Sequence, residues 1–215
     1  MAQRTPRFFY FDLGNVLFKF DHEVACRQMA EVAGVPIEQV WAILFESPLQ
    51  RAYERGELST DEFYEAFCQH SGTHPARDDL LYAASDIFEL DPAVAAIIAE
   101  LRDGGARLGI LSNTCDAHWR FLAAERFPML ERLFDVTALS FRLHAAKPER
   151  AIYEAAARLA GAPPAEIFFV DDRVDNVDGA LAAGFDAVQF TSAPDLRAQL
   201  ARRGAPIRPE PAPSA

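Results

Sequence analysis

Polar side chains of the types that carry out catalysis interrupt the apolar segments of this 215-residue chain at four places. A carboxylate can act as a nucleophile, a lysine can neutralise an anionic group, and two adjacent carboxylates offer the hard oxygen ligands that a divalent metal prefers. Together they suit phosphoryl transfer assisted by a metal ion. The residues concerned are, in chain order, Asp12, the pair Ser112-Asn113, Lys147 and the pair Asp171-Asp172.

These polar residues stand at or near the ends of predicted β-strands. Short apolar runs predict buried strands over residues 8–12, 108–112, 136–139, 167–171 and 187–190. Helical patterns over 91–104, 148–160 and 176–183 alternate with the later strands, and this alternation indicates a mostly parallel α/β sheet covered by helices. Ligands bind beyond the carboxyl ends of parallel strands, so the four polar groups are expected to meet at one edge of the sheet.

An insert with helical patterns interrupts the predicted core after its first strand. Residues 22–32, 36–45, 61–69 and 77–88 predict helices, and no strand is predicted in the insert. The expected organisation is an α/β core of residues 1–17 and 91–203, a helical domain of residues 18–90, and a flexible proline-rich tail of residues 204–215.

Composition narrows the expected location and partners. Acidic residues outnumber basic ones by 32 to 21, which disfavours binding to nucleic acid. No apolar run is long enough for a secretory signal or a membrane span, so we expect a cytoplasmic protein with no membrane partner, as a monomer or weak dimer. The three cysteines form no Cys-x-x-Cys pair and are expected to be buried free thiols.

Four short motifs in order resemble those of the haloacid dehalogenase (HAD) superfamily. They are residues 11–17 (Phe-Asp-Leu-Gly-Asn-Val-Leu), 111–114 (Leu-Ser-Asn-Thr), 147–149 (Lys-Pro-Glu) and 169–176 (Phe-Val-Asp-Asp-Arg-Val-Asp-Asn). The resemblance covers residues 8–190 and implies a Rossmann-like core with a mobile helical cap. Within the superfamily, the wording of the motifs is most similar to that of capped sugar-phosphate phosphatases, in particular bacterial α-D-glucose-1-phosphate phosphatases.

The resemblance implies a role for each motif residue in hydrolysing a small phosphorylated metabolite. Asp12 would form an aspartyl-phosphate, while Ser112, Asn113 and Lys147 would bind the phosphoryl group. The chain contains 19 arginines and only two lysines, Lys19 and Lys147. Because arginine is its usual basic residue, the lysine at position 147 supports a specific role there. The implied cofactor is Mg²⁺, with the ligands Asp12, the Gly14 carbonyl and Asp172, and with Asp171 and Asn176 supporting them.

Gly14 departs from the pattern of most phosphatases in this superfamily, which have an acid/base aspartate there. Loss of a proton donor typically costs a factor of about 10² to 10⁴ in rate unless another group replaces it. We name Asp21 as the candidate replacement because it lies near the first motif. The alternatives are a phosphate-binding or regulatory module without turnover, a metal-free dehalogenase that uses Asp12, and a phosphoryl mutase, which the glycine disfavours.

Overall fold

The computed structural model of the protein describes residues 5–208, apart from the side chain of Glu125. Its strands are β1 (Phe8–Phe11), β2 (Phe18–Lys19), β3 (Glu89–Leu90), β4 (Arg107–Ser112), β5 (Val136–Leu139), β6 (Ile167–Asp171) and β7 (Asp186–Gln189). Its α-helices are α1 (His22–Ala33), α2 (Ile37–Trp41), α3 (Leu49–Glu54), α4 (Thr60–Ser71), α5 (Arg77–Ser85), α6 (Pro92–Asp103), α7 (Asp116–Arg120), α8 (Leu130–Leu133), α9 (Ser140–Leu143), α10 (Arg150–Ala160), α11 (Val174–Ala182) and α12 (Ala193–Arg202). Turns of π-helix (Ala42–Glu46 and Phe121–Arg126) extend α2 and α7.

Five of the strands form one parallel sheet in the order β5-β4-β1-β6-β7. In register, Phe11 pairs with Ile110 of β4 on one side and with Val170 of β6 on the other. The central strand β1 therefore delivers residue 12 between the ends of β4 and β6. The predicted α/β class with a Rossmann-like parallel sheet is confirmed.

Helices cover both faces of this sheet because successive side chains of β1 point in opposite directions. Phe9 and Phe11 pack in one apolar cluster with residues of α6 and α12, whereas Phe8 and Tyr10 pack in a second cluster with residues of α10 and α11. Burial of each such side chain contributes about 1.5–3 kcal/mol to stability. The site at the strand ends thus rests on a sheet that is packed with buried side chains on both faces.

The insert folds around an apolar cluster of its own. Helices α1 to α5 lie between β2 and β3 in the chain, and Met29, Phe63 and Phe67 are buried among them. Helix α4 starts with a capping box in which Ser59 and Glu62 bond each other's backbone N–H groups, as the sequence predicts for this region. We call helices α1 to α5 and their connections the cap.

Two features of the structure differ from the expectations for the insert and the tail. Strands β2 and β3 pair in antiparallel fashion where the chain enters and leaves the cap, although no strand is predicted there, because two residues are too few to show a periodic pattern. In the predicted tail, Ala205 is buried and the Arg208 N–H group bonds Glu100, while residues 209–215 lie outside the described residues.

Two remaining expectations concern the cysteines and the membrane. Cys26, Cys68 and Cys115 are free and buried, as predicted. Within residues 5–208, no helix has the length and hydropathy needed to cross a membrane.

Candidate active site

A buried lysine joins two carboxylates at the carboxyl edge of the sheet. The Lys147 ammonium group lies 2.9 Å from Asp12 Oδ1 and 2.5 Å from Asp171 Oδ2, and its side chain is 1% exposed. It also donates a hydrogen bond of 3.1 Å to the Leu111 carbonyl at the end of β4. Asp12 follows β1 and Asp171 ends β6, so the parallel register brings together residues that are up to 159 positions apart.

Asn113 holds the loop that carries Lys147. Its side-chain nitrogen donates to the Lys147 carbonyl at 3.0 Å, and its side-chain oxygen accepts from the Lys147 N–H group at 2.8 Å. Ser112, at the end of β4, is 2% exposed, and its hydroxyl group acts to lower the pKa of the nearby Asp12 carboxyl group. All three residues predicted to bind phosphate, Ser112, Asn113 and Lys147, therefore lie beside Asp12; their roles stay predictions.

Burial and charge act in opposite directions within this cluster. Burial raises the pKa of Asp12, and the charge of Asp171 adds to the rise, while Lys147 and the Ser112 hydroxyl group offset part of it. Burial by itself would lower the pKa of Lys147, but the two carboxylates outweigh that effect and raise the pKa. Lys147 is therefore the charged partner that keeps two buried carboxylates close together.

Three carboxylates could hold a metal ion at this edge. Asp12, Asp171 and Asp172 each offer an oxygen, and these oxygens lie within 4.8 Å of one another. The oxygens of Asp171 already accept bonds from Lys147, Asn176 and the Arg173 N–H group, which leaves Asp12 and Asp172 as the carboxylates with fewer partners. All of these donors are hard oxygens, so the residues present fit the predicted Mg²⁺ ion.

Gly14 faces an aromatic ring in place of open space. A Cβ atom built on Gly14 would lie 2.6 Å from Cε1 of Phe20. The Phe20 ring therefore occupies the volume that an aspartate side chain at this position would need to enter. The absence of a carboxylate at position 14 thus agrees with the close packing of Phe20 against Gly14.

A cavity of about 1350 Å³ separates the sheet edge from the cap. Asp12, Ser112, Lys147 and Asp172 line it on the core side. Asp21, the predicted acid/base candidate, also lines it, but its side chain is exposed and caps α1 by accepting from the Glu23 N–H group at 2.8 Å. The acid/base role of Asp21 stays a prediction.

Aromatic rings and charged groups line the cavity as well, and sequence reasoning did not single out Trp41 or Glu54 among them. Rings of Trp41, Phe45, His22, Phe20 and Phe88 follow one another with centroids 4.7–5.8 Å apart, and all but Phe45 line the cavity. Glu54, at the end of α3, lines it as well. Of the other charged and aromatic residues of the cap, Arg51 and Arg55 line the cavity, whereas Tyr53 and Phe67 belong to the apolar cluster of the cap.

The parallel α/β core, the cap and the aspartate cluster together define a hydrolase of the capped α/β type. The family model described as haloacid dehalogenase-like hydrolase matches residues 7–184, and the chain belongs to that family. The superfamily predicted from the four motifs is therefore confirmed. The narrower resemblance to α-D-glucose-1-phosphate phosphatases stays a prediction.

The chain is similar to two curated proteins with different names. It is 27% identical over 202 residues to Phosphatase MT3486 of Mycobacterium tuberculosis (strain CDC 1551 / Oshkosh), covering 82% of this chain and 83% of that protein. It is 26% identical over 197 residues to Drimenol cyclase drtB of Aspergillus calidoustus, covering 88% of this chain. The match spans 35% of the cyclase, about a third of its length.

Among solved structures, the chain is similar to the HAD family enzyme bt-2542 of Bacteroides thetaiotaomicron. The magnesium complex of that enzyme superposes with a TM-score of 0.77 at 25% identity, covering 87% of this chain and 94% of that one. A predicted HAD-like hydrolase of Porphyromonas gingivalis gives a TM-score of 0.77 at 26% identity, covering 92% of this chain and 98% of that one.

Proposed function

We propose that this protein is a Mg²⁺-dependent phosphatase that hydrolyses a small phosphomonoester through an aspartyl-phosphate on Asp12. The observation that carries the proposal is the buried cluster in which Lys147 lies between Asp12 and Asp171, with Asp172 beside them. A nucleophilic carboxylate, a phosphate-binding cation and metal-capable carboxylates are the groups that phosphoryl transfer requires.

The chemistry that we assign to the site has two displacements. A carboxylate oxygen of Asp12 attacks phosphorus, and the bond from phosphorus to the leaving-group oxygen breaks. Water then attacks the same phosphorus, which releases phosphate and restores the Asp12 carboxylate. Bound Mg²⁺ would neutralise phosphate charge, with Asp12, the Gly14 carbonyl and Asp172 as its protein ligands.

Within the first displacement, the phosphoryl oxygens would be bound by Lys147, the Ser112 hydroxyl group and the backbone near Asn113. The Asn113 amide group fixes the backbone of Lys147, and bonds to the Leu111 carbonyl and to Asp171 hold its side chain, so little side-chain freedom is lost when substrate binds. The cap would enclose the leaving group and exclude water. Asp171 and Asn176, which bond each other at 2.9 Å, would keep the metal-side carboxylates in position.

Two of the similar proteins support this proposal. The Bacteroides thetaiotaomicron enzyme forms a magnesium complex, and a variant of it was crystallised with magnesium and inorganic phosphate. The Mycobacterium tuberculosis protein is named a phosphatase. We propose sugar phosphates as the first substrates to test, and a monomer or weak dimer acting in the cytoplasm as the working form.

The experiment is hydrolysis of p-nitrophenyl phosphate and a hexose-phosphate panel, with Mg²⁺ or with a chelator. We expect turnover with Mg²⁺, and a loss of at least about 10³-fold in Asp12→Asn, which lacks the nucleophile. Turnover of 2-haloacids that survives the chelator would favour the dehalogenase alternative. Binding of phosphate and Mg²⁺ without turnover of any substrate would favour a binding module.

A further inference from the structure

Glu54 is a cap carboxyl group that faces the cavity of the proposed phosphatase. It ends α3, its side chain is partly buried, and it lines the same cavity as Asp12 and Lys147. Its Oε1 atom accepts a hydrogen bond of 2.8 Å from the Gln50 side chain. Glu54 takes part in none of the ion pairs among the described residues, so no lysine or arginine side chain there neutralises its carboxylate.

The backbone of Glu54 is fastened to the loop that carries Ser112. The Ser140 hydroxyl oxygen lies 2.6 Å from the Glu54 carbonyl oxygen and 3.0 Å from the Thr114 carbonyl oxygen. It also accepts a hydrogen bond of 2.9 Å from the Thr114 N–H group. One buried hydroxyl group therefore joins the end of α3 to a residue two positions after Ser112.

The next two residues fasten the same segment to the loop that carries Lys147. The Arg55 guanidinium group forms an ion pair with Glu149, two positions after Lys147. A Cβ atom on Gly56 would lie 2.1 Å from the Phe141 carbonyl oxygen, so only glycine fits this contact with the core. The segment of residues 54–56 is thus joined to the core beside both Ser112 and Lys147.

The surroundings of Glu54 favour its protonated form. Burial raises the pKa of Glu54, and the hydrogen bond from Gln50 offsets only part of that rise. Asp21, by contrast, is exposed and already accepts the Glu23 N–H group as a helix cap. Of the two carboxyl groups, Glu54 is the one whose environment suits a proton donor.

On the basis of the proposed phosphatase function, we propose that Glu54 supplies the acid/base catalysis that Gly14 cannot. As the bond from phosphorus to the leaving-group oxygen breaks, the Glu54 carboxyl group gives its proton to that oxygen, and an alcohol departs. The Glu54 carboxylate then takes a proton from the water that attacks the aspartyl-phosphate. Phosphate is released, and Glu54 is again protonated for the next cycle.

The test is single-turnover and steady-state kinetics of Glu54→Gln on two substrates with different leaving groups. The sugar phosphate that the wild-type protein hydrolyses fastest needs a proton donor, and we expect it to react about 10² to 10⁴-fold more slowly. p-Nitrophenyl phosphate does not need one, so the variant should release one equivalent of nitrophenolate quickly and then stall. Mass spectrometry should detect the accumulated phosphoenzyme.

The controls separate catalysis from folding. Glutamine matches glutamate in size and keeps an acceptor for Gln50, so the melting temperature of Glu54→Gln should stay near that of the wild type. Glu54→Asp, which retains the carboxyl group, should recover part of the sugar-phosphate rate. Glu65→Gln, a change at an exposed cap carboxylate in α4, should leave both substrates unaffected.

Three results would overturn the assignment. Wild-type rates in Glu54→Gln on both substrates, beside Mg²⁺-dependent wild-type turnover, would remove the role of Glu54 and leave the phosphatase function standing. Asp21→Asn showing the burst and stall in place of Glu54→Gln would transfer the role to Asp21. No turnover by the wild-type protein would remove the phosphatase function, and the role of Glu54 with it.

Discussion

Replacing Lys147 with methionine removes the cation that lies between two buried carboxylates. In the folded protein, Asp12 is 7% and Asp171 is 0% exposed, and the Lys147 ammonium group lies within 2.9 Å of both. Methionine has a similar length and no charge, so the cavity that it leaves is small. The variant therefore isolates the loss of charge from the loss of packing.

The expected loss of stability is about 3–5 kcal/mol, the usual cost of removing one partner from a buried ion pair. Opposite charges 4 Å apart attract by about 4 kcal/mol at an effective dielectric constant of 20, so the shorter distances here support a value of that size. A second change, Asp171→Asn in the same chain, removes one of the two unpaired carboxylates. It should restore about 1–3 kcal/mol relative to the single variant, because the two sites are directly coupled.

Urea denaturation at pH 7 without Mg²⁺, followed by tryptophan fluorescence, measures both effects. The slope of the transition should stay the same while its midpoint falls. Lys19→Met is the matched control, since Lys19 is exposed on β2, and it should change stability by no more than about 0.5 kcal/mol. A loss below about 1 kcal/mol in Lys147→Met, or a double variant no more stable than the single one, would refute this account of the cluster.

Two further predictions concern Gly14 and His118, which both line the cavity. Gly14→Asp should destabilise the protein by about 1–3 kcal/mol because its Cβ atom would lie 2.6 Å from the Phe20 ring. Thermal denaturation of the double variant should show that Phe20→Ala relieves part of this loss. Strictly additive losses of stability in the two single variants would contradict the clash. Burial and the nearby His22 lower the pKa of His118 to about 4, although a bond to the Ala84 carbonyl opposes this shift. As the pH falls from about 6.5 to 4, the imidazole of residue 118 therefore gains a proton in the unfolded chain and not in the folded protein. His118→Gln should therefore lose less stability than the wild type as the pH falls over that range, by up to about 1.4 kcal/mol per pH unit. The measurement is the urea midpoint of each protein at pH 7 and at pH 5. The same decrease in midpoint for the wild type and the variant would contradict this prediction.

The sequence allowed the core and its polar edge to be predicted because the signals involved are local. Runs of four or five apolar residues show strands buried on both faces, and the polar residue that ends each run shows which end faces the ligand. Asp12, Ser112 and Asp171 were identified in this way, and the structure places all three at one edge of the sheet. Lys147 and Asp172 were picked out with them as charged residues near strand ends, and the family resemblance then implied a role for each.

Short elements escaped the sequence analysis for the opposite reason. Strands β2 and β3 are two residues each, and α3 is six residues long, so none of them shows a full period of alternating polarity. Their positions depend on pairing with distant segments of the chain. Because α3 carries Glu54, missing this helix also meant missing a candidate site residue.

Tertiary structure alone decided which side chains meet across the cavity. Phe20 fills the space beside Gly14, and Ser140 joins Glu54 to Thr114, although these last two residues are 60 positions apart. Such contacts follow from how the cap packs on the core, which no local pattern encodes. The sequence by itself therefore determined the fold class and the charged groups of the core, whereas packing between distant segments decided which of them are paired, which are buried and what faces the proposed leaving group.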